Sequence, residues 1–428
     1  MLDINFIDEN KELVEQAIKN KKGEDVDLDR LLKLYASRKS LQQRLDSVNA
    51  KRNEAAKNRD IDTGRLLKEE SQSLEEEFKK VHKSFMDLML KIPNIPSPDT
   101  PIGEDESGNI VIRSWGNKPE FSFPPKPHWD LGKDLGILDS DTAAEISGAR
   151  FTYLKGDLAM LQFALIHFAF SVLTNKDKLE EIAKGAGLNI PVGSFVPVIP
   201  PVMMKSAVMN RMARLHPIED RYYFEADDLV LVGSAEHTLG PMFMDKVLNE
   251  SELPIRLLGY STAFRREAGS YGKDTRGILR QHQFDKLEME TFVLPEYSYP
   301  EQDFLVAIQE YLMKELNLPY QVVLVCTGDM GKPDHRQIDI ETWMPGQNSY
   351  RETHSADLMG GYQSRRLNTR VKRANGKIEH LHMNDATLIA VGRMLISIME
   401  NNQQEDGSIK IPEALQKYMG KAIIEKSS

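Results

Sequence analysis

The sequence is almost without cysteine. Cys326 is the single cysteine among 428 residues, so an internal disulfide framework is excluded and a reducing compartment is expected. Cys326 directly follows an apolar run from Gln321 to Val325, which favours a buried strand residue over a nucleophile. The sequence implies no metal cluster either.

Long hydrophobic runs and an excess of positive charge are also missing. No apolar stretch reaches the roughly 18 residues of a membrane-spanning helix. The N-terminus, MLDINFIDEN, has no basic segment followed by an apolar run, so we expect a cytoplasmic protein without a membrane partner. The net charge of −10 disfavours an indiscriminate nucleic-acid coat, although local basic faces can still bind RNA.

What the chain does have is length, and 40% of its residues are hydrophobic. Such a chain can bury a large core and suggests two or three domains. We predict a helical arm over residues 1–100, a proline- and glycine-rich linker over 101–127 and a large domain over 128–428. Trp115 is a candidate anchor within the linker.

Two amphipathic runs near the N-terminus repeat the three-and-four spacing of a coiled coil. The first extends from Asp27 to Asn58, a turn-like segment continues to Gly64, and prolines beginning at Pro93 stop the second run. This order predicts an antiparallel helical hairpin. The apolar positions are Leu31, Leu34, Leu41, Leu45 and Val48, then Leu67, Leu74, Phe78, Val81, Phe85, Leu88 and Ile92.

Periodicity alone leaves the role of this arm open. Most such arms are spacers or dimerisation elements, whereas a basic surface could follow a phosphate backbone. The basic residues that favour RNA binding are Arg38, Arg44, Lys51, Arg52, Lys57 and Arg59.

The most informative stretch runs from Phe264 to Glu290. Aromatic and β-branched residues precede it, and the segment from Phe284 to Val293 alternates, which predicts a hairpin of two strands. One face of the second strand carries Leu287, Met289, Thr291 and Val293, and the other carries Phe284, Lys286, Glu288 and Glu290. The connection holds glycines that permit positive φ and basic residues that suit a polyanion, namely Gly269, Gly272, Gly277, Lys273, Arg276 and Arg280.

The polar face of the second strand has the spacing of a ligand site. Phe284 and Glu288 lie four residues apart, or roughly 13 Å along a strand, which suits an adenine at one end and an amino group at the other. Phe284 could stack on the base, Arg265 could face an α-phosphate and Glu288 could pair with an ammonium. The alternative is a charged surface hairpin, because alternating charge usually marks a solvated face.

These residues also carry a resemblance. The segments FRREAG, GKDTRG and HQFDKLEME resemble motif 2 of class II aminoacyl-tRNA synthetases, in the form found in the seryl-tRNA synthetase family. The resemblance extends over essentially the whole chain. It implies an α+β fold, with an antiparallel-sheet catalytic domain flanked by helices and an N-terminal coiled-coil arm that holds tRNA. In motif 2 it implies ATP binding by Arg265, Arg266, Glu267 and Phe284.

An apolar helix followed by a strand that ends in prolines resembles motif 1. The helix is expected from Leu158 to Leu173 and the strand from Phe195 to Val202, after an entry strand within Ile146 to Gly156. Motif 1 forms the dimer interface of class II enzymes, so the resemblance implies a homodimer.

Ser234, Ala235 and Glu236 stand where the family commonly has Thr-Ala-Glu. The resemblance implies that these three residues bind serine, together with Arg265. Glu236 could instead cap the helix that follows it. The preceding segment, 203–223, departs from the family pattern, and the sequence does not determine the consequence.

A segment from Tyr350 to Ser355 corresponds to one that commonly contains Glu-Ile-Ser-Ser. It implies ATP contacts from Glu352, Thr353, His354 and Ser355. Carboxylate and hydroxyl oxygens are hard ligands, so Glu352 and Ser355 would hold the Mg²⁺ that accompanies ATP, and no organic cofactor is implied. A solvated glutamate and a structural His354 are the simpler interpretations.

Residues 381–395 with a helix at 396–403 resemble motif 3, with Arg393 as its arginine. An arginine at a helix start opposes the dipole, which indicates a purpose other than stability. The family's usual Asn-Gly-Ser corresponds to 385–387 when aligned back from Arg393, or to 384–386 with an insertion. The first register makes Thr387 a serine contact.

The elements between these motifs have their own patterns. Residues 304–316 have helical spacing, 322–325 form a short apolar run, and 363–370 alternate basic and apolar residues. They predict an amphipathic helix, a buried strand and an edge strand of the sheet.

The resemblance implies a serine–tRNA ligase whose partners are ATP, L-serine and tRNA(Ser). Arg265 and Arg393 are the expected catalytic residues because they would neutralise charge that develops on the α-phosphate. Arg265, Glu288 and Thr387 are expected among the serine contacts. The sequence leaves open whether tRNA(Sec) is also charged.

Two other interpretations remain at this point. One is an enzyme that activates an amino acid for a carrier protein, against which the intact two-helix arm counts. The other is a non-catalytic RNA-binding or regulatory paralogue, which the altered triplet near Thr387 favours and the retained motif residues disfavour.

Overall fold

A computed structural model describes residues 1–268 and 276–426. The chain divides into two compact units, Met1–Ile95 and Pro96–Ser428, each of which has apolar clusters of its own. Gly269, Gly272 and Lys273, which the sequence analysis placed in a phosphate-binding loop, lie outside the described residues.

Helices and strands alternate irregularly along the chain. The helices are α1 (Ile4–Glu9), α2 (Lys11–Asn20), α3 (Leu28–Lys57), α4 (Ile61–Met89), α5 (His128–Asp134), α6 (Ser140–Ser147), α7 (Asp157–Leu173), α8 (Lys176–Gly185), α9 (Ser206–Arg211), α10 (Glu236–Leu239), α11 (Ser298–Glu315), α12 (Gly361–Leu367), α13 (Val391–Asn401) and α14 (Glu413–Met419). The strands are β1 (Ile110–Trp115), β2 (Leu138–Asp139), β3 (Tyr153–Leu154), β4 (Val196–Val198), β5 (Met203–Lys205), β6 (Tyr223–Phe224), β7 (Leu229–Leu231), β8 (Val247–Asn249), β9 (Ile255–Phe264), β10 (Gln283–Val293), β11 (Tyr320–Leu324), β12 (Arg336–Met344), β13 (Ser349–Gly360), β14 (Arg370–Lys372), β15 (Ile378–His380), β16 (His382–Ala390), β17 (Ile409–Lys410) and β18 (Ile423–Ile424).

The first unit is built on a long helical hairpin of α3 and α4. The turn between them is short: Arg59 takes a left-handed φ of 56°, and the Asp60 carboxylate accepts a hydrogen bond from the Thr63 amide. Because Asp60 caps α4, the helix begins at Ile61, inside the segment that the sequence analysis assigned to a turn ending at Gly64.

The seam of this hairpin is apolar along its length. Toward the turn it buries Leu41, Leu45, Val48 and Leu74, with Leu67, Phe78 and Val81 packed beside them. Near the other end, α1 and α2 add Ile7, Val14 and Ile18 to a cluster with Leu31, Phe85 and Met89. The predicted helical arm is confirmed.

The second unit contains an eight-stranded sheet in the order β1-β11-β12-β13-β16-β10-β9-β4. Neighbouring strands are antiparallel, except that β4 is parallel to β9. The predicted antiparallel-sheet domain flanked by helices is therefore confirmed. Its central strands include those of the proposed motifs 2 and 3.

One face of the sheet is covered by α7, α11 and α13, whose apolar side chains share a core with Leu287 and Met289 of β10. Gln309 of α11 donates hydrogen bonds to the carbonyls of Ser355 (2.9 Å) and Thr387 (2.7 Å). The alternation of β10 thus places its apolar side against the helices, as predicted, and leaves its polar side on the other face.

The predicted linker, 101–127, contains a strand of the large sheet. Residues 110–115 form β1, which pairs with β11, and the Trp115 ring lies 5.8 Å from the Tyr320 ring. The proline and glycine content therefore marks only the segments that flank this strand.

The edge strand predicted at 363–370 is wrong. Residues 361–367 form helix α12, bracketed by Gly360 and Asn368, both with left-handed φ. Its buried residues recur with helical spacing, at Tyr362, Gln363, Ser364, Arg366 and Leu367. Arg365 and Arg366 gave the segment the alternating basic and apolar pattern of a strand. In the structure Arg366 is buried together with the apolar residues of the helix.

Several other boundaries differ from expectation, among them that α11 begins at Ser298 and that β4 covers only Val196–Val198. The entry-strand segment forms only the two-residue strand β3, and the motif 3 helix begins at Val391 rather than at Ile396. Helix α7 confirms the helix predicted from Leu158 to Leu173. In the described part of the chain no single helix has the length and apolar content to cross a membrane, and α7 with α8 reaches that level only as a pair bent by 79°.

Candidate active site

Strands β10, β13 and β16, with the segment that follows β9, line a cleft on the polar face of the sheet. The cleft has a volume of about 230 Å³ and combines residues from separate motifs. Its lining includes Arg265, Glu267, Phe284, Lys286, Glu352, Thr353, Thr387 and Arg393. A larger cavity of about 710 Å³, formed by α8, α11 and β1, contains none of the predicted site residues.

The predicted hairpin is present, with β9 and β10 antiparallel and Phe284 opposite Ala263. In the described part of its connection, Gly277 has a φ of 70°, as its proposed role requires. Arg280 donates to the Glu267 carboxylate at 2.6 Å, so these two members of the motif form an ion pair.

His128 fixes the far end of this connection. Its Nε2 accepts a hydrogen bond from the Ile278 amide at 3.1 Å, and its Nδ1 lies 2.9 Å from Glu400. A Cβ atom at Gly277 would lie 1.9 Å from His128 Nε2, so the approach requires glycine as well as positive φ.

Arg265 is held at the end of the hairpin by several contacts. Its amide donates to the His282 carbonyl (3.0 Å), and its Nε donates to the Gly233 carbonyl (3.1 Å). Its guanidinium carbon lies 5.3 Å from the centre of the Phe284 ring. The structure therefore brings the expected phosphate ligand and the expected base-stacking ring together.

Arg266 does not line the cleft. Its guanidinium carbon lies 5.9 Å from the centre of the Tyr222 ring, and its amide donates to the Asp220 carbonyl at 3.1 Å. The Ala268 amide donates to the Asp220 carboxylate at 3.0 Å. The divergent segment 203–223 thus contacts the start of motif 2.

Arg393 and Glu352 meet at the opposite side of the cleft. Arg393 Nη1 lies 3.1 Å from the Glu352 carboxylate and donates to the Glu352 carbonyl at 2.8 Å. Enclosure by protein opposes ionisation of Glu352, but Arg393 and then Arg265 outweigh it and lower the pKa of this carboxyl. The Glu352 side chain is 51% exposed, so a ligand can reach it.

A β-bulge in β13 separates the predicted ATP residues into two groups. Glu352 pairs with Glu341 and His354 with Ile340, which leaves Thr353 as the extra residue. The Thr353 hydroxyl bonds to Thr342 (2.7 Å) and to His354 Nδ1 (2.9 Å) within the protein interior. The Thr353 hydroxyl and the His354 ring therefore face the interior, although other atoms of Thr353 line the cleft.

The donors at Glu352 and Ser355 fit a magnesium ion carried by ATP phosphates. Mg²⁺ in such sites takes one or two protein ligands and keeps phosphates and water for the rest. The carboxylate of Glu352 is accessible. The Ser355 hydroxyl donates to Asp357 at 2.9 Å and accepts from Gln337 Nε2 at 3.3 Å, which leaves one lone pair for a further partner. Glu352 is the stronger candidate ligand.

The predicted ammonium site already contains a cation of the chain. Lys286 Nζ lies 2.6 Å from the Glu288 carboxylate and donates to the Ser234 hydroxyl at 2.9 Å. Ser234 in turn donates to Glu288 at 3.1 Å. Burial raises the pKa of Glu288 to about 7, although Lys286 opposes the shift. The sequence analysis placed Lys286 on the correct face and gave it no role.

Glu236 is buried and is not a helix cap. It is the first residue of α10, and no side chain caps that helix. Burial opposes its ionisation, but Lys286, His237 and Arg214 together lower the pKa of Glu236. Its Oε2 atom has no hydrogen-bond partner in the described residues, so this oxygen can receive a ligand.

Close backbone packing holds this group against the sheet. A Cβ atom at Gly259 would lie 3.0 Å from the Cβ of Ala235 and 2.6 Å from Leu239, so the glycine admits α10. Glu288 of β10 is opposite Gly259 of β9 and opposite Thr387 of β16. Ser234, Glu236, Glu288 and Thr387 thus approach one region of the polar face.

The sequence analysis missed a row of buried carboxylates beside Glu288. Glu290 lies opposite Asp385, and Asp385 lies opposite Asp357, on three neighbouring strands. Burial and the nearby carboxylates raise the pKa of all three groups well above the usual range. Arg214 Nη2 is 3.8 Å from Asp357 and 3.7 Å from Asp385. The altered triplet and the divergent segment 203–223, which contains Arg214, were the available signals.

Comparison with known proteins agrees with this arrangement. Residues 1–96 match the family profile of the seryl-tRNA synthetase N-terminal domain, and residues 221–402 match that of the tRNA synthetase class II core domain (G, H, P, S and T). The chain is 38% identical to the serine–tRNA ligase of Symbiobacterium thermophilum, over 100% of both chains. It is 39% identical to that of Thermotoga neapolitana, over 99% of this chain and 100% of the relative.

Solved structures give the same result over the full length. The seryl-tRNA synthetase of Pyrococcus horikoshii complexed with ATP superposes with a TM-score of 0.86 at 34% identity, covering 100% of each chain. The cytoplasmic serine–tRNA ligase of Naegleria fowleri in complex with AMP has a TM-score of 0.83 at 28% identity, covering 100% of this chain and 99% of that chain. The fold, the motif residues in one cleft and the full-length identity together place the chain in the seryl-tRNA synthetase family of class II aminoacyl-tRNA synthetases.

Proposed function

We propose that the chain activates L-serine with ATP to form seryl-adenylate and transfers the seryl group to the 3′ end of tRNA(Ser). The observation that carries the proposal is the meeting of Arg265, Glu352 and Arg393 in a cleft that continues to Ser234 and Glu288. Transfer to tRNA(Sec) is a question for the same charging experiment.

The nucleotide end of the cleft lies at Phe284 and Arg265. Adenine would stack on the Phe284 ring, where the Arg265 guanidinium now lies. Arg265 and Arg393 would then face the α-phosphate from two sides, with Glu267 and Arg280 bordering the same space. When bound with ATP, Mg²⁺ supplies charge neutralisation for the phosphates, and Glu352 is the residue to hold it.

The chemistry needs no protein nucleophile. The serine carboxylate is ionised near neutral pH and attacks the α-phosphorus, and pyrophosphate leaves with the electron pair of the broken P–O bond. The terminal ribose hydroxyl of tRNA then attacks the seryl carbonyl and releases AMP. Catalysis is therefore orientation and neutralisation of charge by groups that are already in place.

Glu236 and Glu288 are the proposed partners of the serine ammonium. Glu236 is held ionised: its Oε2 has no hydrogen-bond partner within the described residues, and its Oε1 lies 3.4 Å from His237 Nε2. Ser234 and Thr387 would bond the substrate hydroxyl. A site whose buried groups require a hydroxyl disfavours alanine, because those groups would be left unpaired.

The helical arm is the proposed tRNA contact. Arg44, Lys51, Lys57 and Arg59 are exposed along α3 and at its turn, whereas Arg38 and Arg52 are half-buried. Arg38 lies against the Phe85 ring, 5.2 Å from its centre. The exposed four are therefore the better candidates for phosphate contacts.

A homodimer through motif 1 is also proposed. The helix α7 and the segment that begins with β4 carry large apolar side chains that are exposed in the single chain, although one side of α7 is buried in the core. They are Met160, Phe163, Val196 and Ile199, with Met203 following. Exposed apolar side chains of this number are typical of a surface that a partner subunit covers.

One pair of assays tests the proposal. Serine-dependent exchange of pyrophosphate into ATP reports the first step, and formation of seryl-tRNA from purified tRNA(Ser) and, separately, tRNA(Sec) reports the second. Exchange without charging would favour a carrier-protein enzyme, and absence of both would favour a non-catalytic paralogue.

A further inference from the structure

The amino-acid end of the cleft contains more buried carboxylates than its cations neutralise. Glu236, Glu288, Glu290, Asp357 and Asp385 are each buried or have carboxylates enclosed by protein. Within residues 1–268 and 276–426, the cations that contact them are Lys286 and Arg214. Burying an uncompensated carboxylate is costly, so the surplus calls for protons or for a positively charged ligand.

Glu290 is the clearest member of this surplus. Its residue is 0% exposed, and neither carboxylate oxygen has a hydrogen-bond partner in residues 1–268 and 276–426. The charged groups that act on it are Glu236, Glu288 and Arg214, so its side chain faces the same region as the amino-acid site. Asp385 Oδ2 also has no hydrogen-bond partner there, and its approach to Arg214 is loose at 3.7 Å.

The register fixes how close these groups are to the proposed substrate. Glu290 follows Glu288 by two residues on the same face of β10, roughly 7 Å along the strand. Asp385 is directly opposite Glu290 on β16, just as Thr387 is opposite Glu288. This second row is therefore within reach of a short side chain on an amino acid whose α-ammonium contacts Glu236 and Glu288.

We propose that the amino-acid pocket accepts short amino acids with an ammonium group on the side chain, of which 2,3-diaminopropionate is the serine counterpart. The side-chain ammonium would donate to Glu290 and Asp385, while the α-ammonium occupies the place proposed for that of serine. This inference rests on the proposed function, because it uses the same adenylation site.

The reaction would be the same as for serine. A carboxylate oxygen of the diamino acid forms the bond to the α-phosphorus of ATP, the bond to the pyrophosphate oxygen breaks, and pyrophosphate leaves with that electron pair. The side-chain ammonium keeps its protons and takes no part beyond binding.

The test compares amino acids on the purified full-length protein. Pyrophosphate exchange is measured with serine, 2,3-diaminopropionate, 2,4-diaminobutyrate, ornithine and alanine, and binding of each is measured by calorimetry. We expect 2,3-diaminopropionate or its one-carbon-longer homologue to support exchange at least about tenfold above alanine, the low end for a charged hydrogen bond in a buried site. Ornithine tests how long a chain the pocket admits.

Variants then identify the residues responsible. Glu290→Gln and Asp385→Asn each remove one charge with little change of shape, and Asp385→Asn introduces the amide usual in the family. Each should lower the ratio of kcat/KM for the diamino acid over that for serine by about 10- to 100-fold. Glu413→Gln, on an exposed surface of α14, is the matched control and should leave the ratio unchanged.

The outcomes separate this inference from the proposed function. Serine-dependent exchange without any response to diamino acids, in exchange or in calorimetry, would overturn the inference and leave the function standing. Exchange with a diamino acid but not with serine would support the inference and revise the substrate. Stabilisation of the protein by Mg²⁺ alone that Glu290→Gln abolishes, with no diamino-acid binding, would assign the row to a metal and overturn the inference.

Discussion

Arg265 and Arg393 come from distant parts of the chain, and their surroundings differ. Arg265 is fixed through Gly233 and lies over Phe284, whereas Arg393 is paired with Glu352 at 3.1 Å. Bound ATP must therefore compete with a carboxylate for Arg393 and with a ring for Arg265. Each arginine would change its partner as the nucleotide enters.

Replacing either arginine should depress adenylation strongly. Arg265→Ala and Arg393→Ala are each expected to lower serine-dependent exchange by about 10²- to 10³-fold, the usual effect of losing one preorganised charge-stabilising donor. Arg113→Ala is the control, because Arg113 pairs with Glu310 outside the cleft. Near-normal exchange in either cleft variant, with its circular dichroism unchanged, would contradict the assignment.

His354 offers a test of acid stability at a single residue. The residue is 1% exposed, and burial lowers the pKa of His354 to about 3. The unfolded chain protonates near pH 6.5, so between pH 6.5 and 3 the unfolded state binds more protons and stability falls as the pH falls. At pH 5 this amounts to about 2 kcal/mol.

Between pH 7 and pH 5, the free energy of unfolding should therefore fall by about 2 kcal/mol less in His354→Asn than in the parent. Urea unfolding followed by tryptophan fluorescence measures it, because Trp115, Trp129 and Trp343 all lie in the second unit. The exposed His167 provides the control variant His167→Asn. An equal pH dependence in the parent and in His354→Asn would show that His354 is not buried as a neutral ring.

Among the elements, the arm is the one whose role can be separated from the chemistry. Its base packs with α1 and α2 through Ile7, Val14, Phe85 and Met89. Removing the whole hairpin would expose that cluster, so the informative deletion is confined to the part beyond it.

Deleting residues 43–77 and joining Gln42 to Phe78 through a short glycine–serine linker should preserve serine-dependent exchange and reduce tRNA charging by at least about tenfold, since several phosphate contacts would be lost. A matched variant keeps the arm at full length and replaces Arg44, Lys51, Lys57 and Arg59 by Gln. This variant should charge tRNA more weakly than the parent, and its charging should depend less on salt concentration. Unchanged charging by the shortened protein would exclude a tRNA role for the arm.

The elements also show how far sequence reasoning reaches. Long periodic segments such as α3, α4 and α7 were predictable, because an apolar stripe determines which face is buried. Helix α12 was not, since its burial of Arg366 depends on carbonyls of distant Asn210 and Arg211. Glu352 and Glu288 were found from their motifs. Glu290 was placed on the polar face without a role and Arg214 was missed, because only the folded chain shows that Asp385 and Arg214 reach the same site.

At the scale of the whole molecule, the exposed apolar face of α7 and β4 predicts a dimer. Phe163 is 59% exposed and Val196 is 56% exposed, so Phe163→Glu would place a charge in the proposed interface. We expect the variant to sediment as a monomer at micromolar concentration while the parent sediments as a dimer. Ile61→Glu alters a residue that is 82% exposed at the turn of the arm and should leave the mass unchanged. A dimeric Phe163→Glu variant would place the interface elsewhere or exclude it.

The bulge in β13 has a consequence for how this sequence can vary. Because Thr353 is an extra residue, the strand on either side of it keeps its own alternation: Glu352 belongs to the nucleotide end, and Asp357, opposite Asp385, belongs to the amino-acid end. Deleting Thr353 would leave all the remaining side chains of the strand on their present faces, because Glu352 and His354 already pair with consecutive residues of β12. The two ends of the active site can thus diverge separately, and Thr353 and His354, the residues that depart from the family's pattern, occupy the junction between them.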